Sequence, residues 1–201
     1  MDTALRAHRP LIMGRNGAVA SNHPQATQAG LDVLRAGGNA VDAAVAVSLA
    51  LGVVEPGMSG LGGDGFYHVW IAETGRSHVY NGTGSAPNAA SPERFQETGI
   101  PVWGPLSTST PGMVGGLSMM HDAHGSQSWR QLCTPAMHFA RDGFYVTHAY
   151  RSFAGMARDK LAADPVSRKI FLNDGEAPAL GNAVRQPHLA DTLERLGTEG
   201  P

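Results

Sequence analysis

Several residues in this chain have types or spacings that could do chemistry. Gly60-Leu61-Gly62-Gly63-Asp64-Gly65 comes close to the glycine fingerprint of a dinucleotide site. That fingerprint needs a strand before it and a helix after it, so that a helix N-terminus faces pyrophosphate. Here an apolar helical stretch and Glu55-Pro56 come first and strand-type residues follow. The loop therefore reads as a structural one that packs close to another backbone. Ser59 lies among glycines without the Gly-x-Ser-x-Gly spacing of a nucleophile elbow. His121 and His124 stand three apart on a helical stretch, a spacing that could bring two imidazoles to one metal ion. With 9 His scattered along the chain, surface or core histidines are the expectation, and no metal is assigned. Asp42, Glu55 and Asp64 could gather as an acid cluster around the loop. Asp42 has a structural role open to it near a helix start and Glu55 one in holding loop N–H groups, while Asp64 stays open. Cys133 falls on an apolar helix face and reads as a core thiol, not a nucleophile.

The elements that must position these residues can be read in order. Ala18-Val19-Ala20 is a short strand candidate, and Pro24 opens a helix that ends at Gly37-Gly38, where positive φ is available. Asn39 can cap the next helix, with Asp42 in its first turn. From Ala43 to Leu51 that helix has no wide polar face, so it should be buried on most sides. Phe66–Ile71 and Ser77–Tyr80 flank Glu73-Thr74-Gly75-Arg76 as a hairpin. Apolar residues on both faces of its first strand predict a sheet covered on both sides. A glycine-rich turn, Asn81 to Pro87, leads to a short helix capped by Ser91, then to a loop over Gly99–Gly112. Helices are expected from Val114 to His124, from Ser128 to Gly143, from Thr147 or His148 to Leu161, and from Pro187 to Leu196 with Gly197 as its stop. Phe171-Leu172 reads as a short strand or turn. The fold class is α+β, with helices segregated from an antiparallel sheet.

Composition narrows the function classes. A chain of 201 residues with 42% hydrophobic and 16% charged residues is globular, and 26 Gly with 13 Pro imply many turns. A net charge of −2 with no basic run excludes nucleic acid as an expected partner and leaves small molecules or protein. A single cysteine excludes an internal disulfide. Met1 to Met13 holds Arg6 and Arg9 but no apolar run of signal-peptide length, and no stretch approaches a membrane span. The expectation is a soluble, cytoplasmic chain with no membrane partner.

Five motifs in order then carry a resemblance. They are Ala20-x-x-His23-Pro24; Gly37-Gly38-Asn39-Ala40-Val41-Asp42-Ala43-Ala44-Val45-Ala46; Val53-Val54-Glu55-Pro56-x-x-Ser59-Gly60-x-Gly62-Gly63; Ser109-Thr110-Pro111-Gly112; and Ala140-Arg141-Asp142-Gly143-Phe144. Together they resemble the large-subunit portion of the γ-glutamyltransferases, from Gly17 to about Gly197. The resemblance makes residues 1–16 an N-terminal extension and residues 17–201 a partial large-subunit domain. It implies an N-terminal-nucleophile hydrolase fold, an αββα sandwich that this chain holds only in part. It further implies a proenzyme that cuts itself to expose a threonine nucleophile at the start of a small subunit, in a Thr-Thr-His setting. No such setting occurs here, and Thr147-His148 reads as a helix start. The expected partners are a small-molecule amide substrate and the C-terminal small-subunit portion, with no cofactor, and the chain alone should be inactive. The family carries Arg-Glu-x-Ala-Pro after the hairpin, its arginine binding the substrate α-carboxylate. Alignment on Ala86-Pro87 puts Thr83 at that arginine and Gly84 at the glutamate. A neutral Thr83 cannot form the ion pair. An acylase or amidohydrolase of the cephalosporin-acylase or oxamate-amidohydrolase type, without γ-glutamyl specificity, is thus one alternative. A non-catalytic structural or binding module derived from the family is another.

Overall fold

Asn39 starts the helix around which the others pack. The computed structural model describes residues 12–201, so most of the extension read over residues 1–16 lies outside the described residues. Helix α1 (Pro24–Arg35) is capped by His23, whose Nδ1 accepts from the Gln25 amide at 3.2 Å, and Gly37 ends it with φ 88°. Helix α2 (Ala40–Val54) follows at once. The Asn39 side chain accepts from the amides of Val41 (2.8 Å) and Asp42 (3.0 Å), and Asp42 Oδ2 accepts from the Asn39 amide in return (2.8 Å). This reciprocal box satisfies donors that a helix start otherwise leaves unpaired. As expected, α2 is buried on most sides, through Val41, Val45, Ala46, Leu49, Ala50 and Val53. At its far end the Gln186 side-chain amide donates to the Val53 carbonyl at 2.9 Å.

Strands β1 (Phe66–Ile71) and β2 (Arg76–Asn81) form the expected antiparallel hairpin, with Tyr67 opposite Tyr80 and Val69 opposite His78. A short helix α3 (Pro92–Phe95) capped by Ser91 and a 3-10 turn (Pro105–Ser107) follow. Next come α4 (Met113–His124) and α5 (Trp129–Asp142), the latter boxed by Ser128 and Gln131. Helix α5 packs on α2 and on the last helix, and α4 lies under the hairpin. A two-residue ladder joins β3 (Phe144–Tyr145) to β4 (Ala183–Val184), with α6 (His148–Met156), α7 (Arg158–Ala163) and α8 (Pro165–Phe171) between them. Helix α9 (Pro187–Glu199) closes the described chain. The architecture is α+β, mostly helical with few strands. Among the described residues no helix is long and apolar enough to cross a membrane.

Five sequence expectations change. Ala18-Val19-Ala20 is irregular, without a ladder partner among the described residues. The helix expected over 147–161 breaks at Ala157 into α6 and α7. Phe171 ends a helix instead of forming a strand or turn, because Asp164 caps it through the Ser167 amide (2.7 Å) and Pro165 takes its first position. Helix α9 runs through Gly197 and stops at Gly200, whose φ is 90°. A Cβ on Gly197 would lie 3.2 Å from the Arg130 Cα, so this glycine lets α9 sit close on α5. Finally, the sheet is not covered on both sides among the described residues. Tyr67, Val69 and Tyr80 pack toward the core, while Phe66, Trp70 and Val79 on the other face are 69%, 61% and 65% exposed.

The Asp42 carboxylate is fully buried. Besides the Asn39 amide it accepts from the Ser126 amide (2.9 Å), the Ser126 hydroxyl (2.6 Å) and the Gln127 amide (3.1 Å). Burial by itself would raise the Asp42 pKa. The bonds from Ser126, Asn39 and Gln127 together outweigh it and hold the carboxyl below its ordinary value. A depressed folded pKa stabilises the fold above the unfolded value of about 3.9, and that contribution disappears as pH falls through the lower folded value. Replacing Asp42 with Ala strands its donors and should cost about 3 kcal/mol or more. In urea melts at pH 7 the variant should lose that much, and the gap between parent and variant should narrow as the pH drops below about 4, where the part due to the depressed pKa is lost. A constant gap across that range would refute the assignment.

Candidate functional site

Followed past its last ladder pair, the hairpin brings three loops together. The Gly65 amide donates to the Gly82 carbonyl (3.2 Å) and the Gly82 amide to that of Gly65 (2.8 Å), so one step further Asp64 stands opposite Thr83. Asp64 Oδ1 accepts from the Gly84 amide at 2.6 Å. The Ser109 hydroxyl lies 3.4 Å from Oδ2 and 3.5 Å from Oδ1. The Thr110 amide donates to the Ser85 carbonyl (3.0 Å), and the Gly63 carbonyl accepts from the amides of both Gly112 (3.2 Å) and Met113 (2.9 Å). Loop 60–65, turn 82–85 and segment 109–112 thus form one junction. Thr83 is exposed at its edge, its amide held by Asn81 Oδ1 at 2.9 Å.

The tightest backbone approaches belong to the second and third loops. A Cβ on Gly84 would collide with the Thr110 carbonyl oxygen, and one on Gly112 would fall 2.5 Å from the Gly82 carbonyl oxygen. Around Gly60 and Gly62 a Cβ would meet nothing within 4 Å. The close packing expected of the 60–65 loop is therefore concentrated at Gly82, Gly84 and Gly112. Position 84 has no room for the family's glutamate in this backbone.

Electrostatics at the junction are set by one carboxylate. The Tyr67 phenol is pushed up to about 12, first by burial and then by the negative charge of Asp64. It stays protonated at neutral pH and donates to the Met113 carbonyl at 3.2 Å. Beside the junction a cavity of about 470 Å³ has apolar walls that include Ala86, Pro87, Ile100 and Leu106, with Arg94 and Ser109 as polar members. The arrangement can seat an acyl group, but it holds no activated nucleophile.

The remaining sequence candidates go elsewhere. Asp42 lies in the first turn of the 15-residue helix α2, which spans about 22 Å, and Asp64 follows beyond its far end, so no acid cluster forms. Glu55 holds the amides of Met58 and Ser59 through its backbone carbonyl at 2.9 Å, not through its side chain. His121 Nε2 contacts the Gln127 carbonyl at 2.8 Å and stands 3.7 Å from Asp42 Oδ1, whereas His124 Nε2 meets the Tyr80 hydroxyl at 2.7 Å. The two imidazoles serve different partners. Among the described residues no group of three or more His, Cys, Asp or Glu is placed to hold a metal ion. Cys133 is buried and its thiol is pushed up to about 12 by burial, which removes it as a nucleophile. Thr147 caps α6 through the Tyr150 amide (3.2 Å). Ser109 and Gly112 were visible in the sequence only as parts of a motif. Their contacts with Asp64 and Gly82 cross long stretches of chain, and the one available signal was the hairpin register that puts position 64 opposite position 83.

Comparison with known proteins gives this junction its context. The family model described as gamma-glutamyltranspeptidase matches residues 26–201. The glutathione hydrolase proenzyme of Bacillus subtilis is 35% identical over 96% of this chain and 34% of its own length. The chain thus spans about a third of the length of the curated relatives it matches. Among solved structures, the gamma-glutamyltranspeptidase of Helicobacter pylori superposes with a TM-score of 0.90 at 31% identity, over 95% of this chain and 56% of that one. The cephalosporin acylase of Bacillus halodurans also gives 0.90, at 32% identity, over 99% of this chain and 39% of that one. The ordered motifs, the fold and these matches agree: the chain belongs to the gamma-glutamyltranspeptidase family.

Proposed function

We propose that this chain is the N-terminal part of a γ-glutamyltransferase-like proenzyme that hydrolyses or transfers an amide-linked acyl group. The observation that carries the reading is the family match over residues 26–201. In this reading self-cleavage further along the protein frees a threonine at the start of a small subunit. Its hydroxyl adds to the amide carbonyl while its α-amino group takes the proton, and that proton passes to the amide nitrogen as the C–N bond breaks, so that a neutral amine leaves and an acyl ester remains. Water or an acceptor amine then takes the acyl group and restores the threonine. The exposed face of the hairpin, with Phe66, Trp70 and Val79, is where further sheet and helix complete an αββα sandwich. The junction at Thr83 and the neighbouring cavity supply part of the acyl pocket.

A second reading, an acylase or amidohydrolase without γ-glutamyl specificity, is favoured by Thr83 itself. A threonine offers a hydroxyl where a bidentate guanidinium would fix an α-carboxylate. Likeness to the cephalosporin acylase over 99% of the chain fits the same reading.

Expression of the whole reading frame that contains this chain should give two polypeptides, the second beginning with threonine, and should cleave acyl anilides. Residues 1–201 alone should not. Appreciable turnover by residues 1–201, or a full-length product that neither splits nor cleaves amides, would overturn the proposal. Within the active protein, γ-glutamyl anilide should be used about tenfold less efficiently than butyryl anilide, and Thr83→Arg should lower KM for the glutamyl compound. Equal use of the two anilides by the parent would assign carboxylate binding to another residue.

A further inference from the structure

Asp64 is exposed at the same junction and faces the position of Thr83 across the extended hairpin register. Its carboxylate accepts from the Gly84 amide at 2.6 Å and lies within 3.5 Å of the Ser109 hydroxyl. Both donors are neutral. Among the described residues no Lys, Arg or His nitrogen comes within 4.0 Å of Asp64, while seven such contacts occur elsewhere. The carboxylate is therefore exposed and without an ionic partner among the described residues. Its charge is felt locally, since it helps keep the Tyr67 phenol protonated.

We infer that Asp64 is a specificity-determining residue that steers the Thr83 subsite toward acyl groups bearing an amine and away from those bearing a carboxylate. The inference rests on the reading of Thr83 as part of the acyl pocket. Position 83 lacks a cation, and the residue opposite it adds an anion. An ammonium group within a few ångströms of Asp64 gains Coulomb attraction, and a carboxylate there is repelled by a similar amount. The neighbouring cavity carries one cation in its wall, Arg94, along with Ser109. The hydrogen bonds to Gly84 and Ser109 fix the carboxylate in place, so little side-chain entropy is lost when an amine binds.

Three amides that share a three-carbon chain, bearing at its end an amine, no group or a carboxylate, test this in the full-length protein: 4-aminobutyramide, butyramide and the monoamide of glutaric acid. Calorimetry measures affinity, and the three corresponding anilides measure turnover. The amine should bind about tenfold tighter than the carboxylate, with butyramide between them, and the spread should narrow in high salt. Asp64→Asn keeps an oxygen for the Gly84 amide and removes the charge, so it should shrink the amine's advantage to about twofold or less. Equal or tighter carboxylate binding by the parent overturns the inference. So does an unchanged ratio in the Asn variant, which would make Asp64 a strut between loops. Carboxylate preference that is lost in Arg94→Ala overturns it as well and moves the charge-selecting role to Arg94. Failure to bind any of the three amides also rejects it. The order of binding is read without turnover, so an intact order with uncleaved anilides would fail the amide-cleaving reading alone.

Discussion

The buried Asp42 carboxylate is the interaction on which the rest of this structure depends. It closes the capping box at the start of α2 and, from the same two oxygens, holds the Ser126-Gln127 turn between α4 and α5. One side chain thereby fixes the central helix to α4 and α5, two of the three helices that pack against it. The charge survives burial because every direction around it is filled by a donor, which is the condition under which a buried carboxylate stabilises instead of unfolding. The same end of α2 gains a second tie, since the Asn39 side-chain amide donates to the His124 carbonyl at 2.7 Å, at the C-terminus of α4.

That clamp has a counterpart at the opposite end. The chain leaves α2 through the 60–65 loop, and the Gly63 carbonyl there accepts from the amides of Gly112 and Met113, where α4 begins. Helices α2 and α4 are therefore tied at both ends: a carboxylate and an amide side chain at one, a loop carbonyl at the other. The junction of Asp64, Thr83 and Ser109 is built on the second tie. Its position is inherited from the core through short backbone hydrogen bonds, with the glycines at 82, 84 and 112 removing the side chains that would hold the segments apart. A site assembled from three loops gains rigidity in this way, although loops are usually the mobile part of a fold.

The sequence made some of this legible because some signals are local. Asn39 followed by Asp42 three residues later specifies a helix start without any tertiary information. The aromatic and β-branched runs around Thr74-Gly75 did the same for the hairpin. What failed was whatever depends on distant partners. Gly197 looks in sequence like a helix stop, yet its missing side chain serves the contact with Arg130 on α5, and the stop falls at Gly200. Asp164-Pro165 is a local helix-start signal as well, and it carries α8 through Phe171, which by itself reads as a strand or turn. Apolar residues on both faces of β1 call for cover on both sides, and the described residues supply it on one, where Tyr67, Val69 and Tyr80 pack toward the core. Glu55 does hold loop N–H groups, through its backbone carbonyl, a choice of atom that no residue type can express. Thr83 was found only through resemblance, and Asp64 acquired a role only once the register set it opposite.

Positions 64 and 83 cannot be judged one at a time. An arginine introduced at 83 would stand across the ladder from a fixed, unpaired carboxylate, and its first partner would be Asp64, not a substrate. Part of its attraction for an α-carboxylate would be spent inside the protein, so the two changes should be strongly non-additive. The Asp64 charge therefore explains how a threonine at 83 can be more than a simple loss. With an arginine at 83 the pair would be an internal salt bridge at the edge of the acyl pocket. With a threonine there the carboxylate keeps no ionic partner among the described residues, and under the proposed reading of Thr83 as part of an acyl pocket the subsite would change sign while the backbone that carries it stays the same.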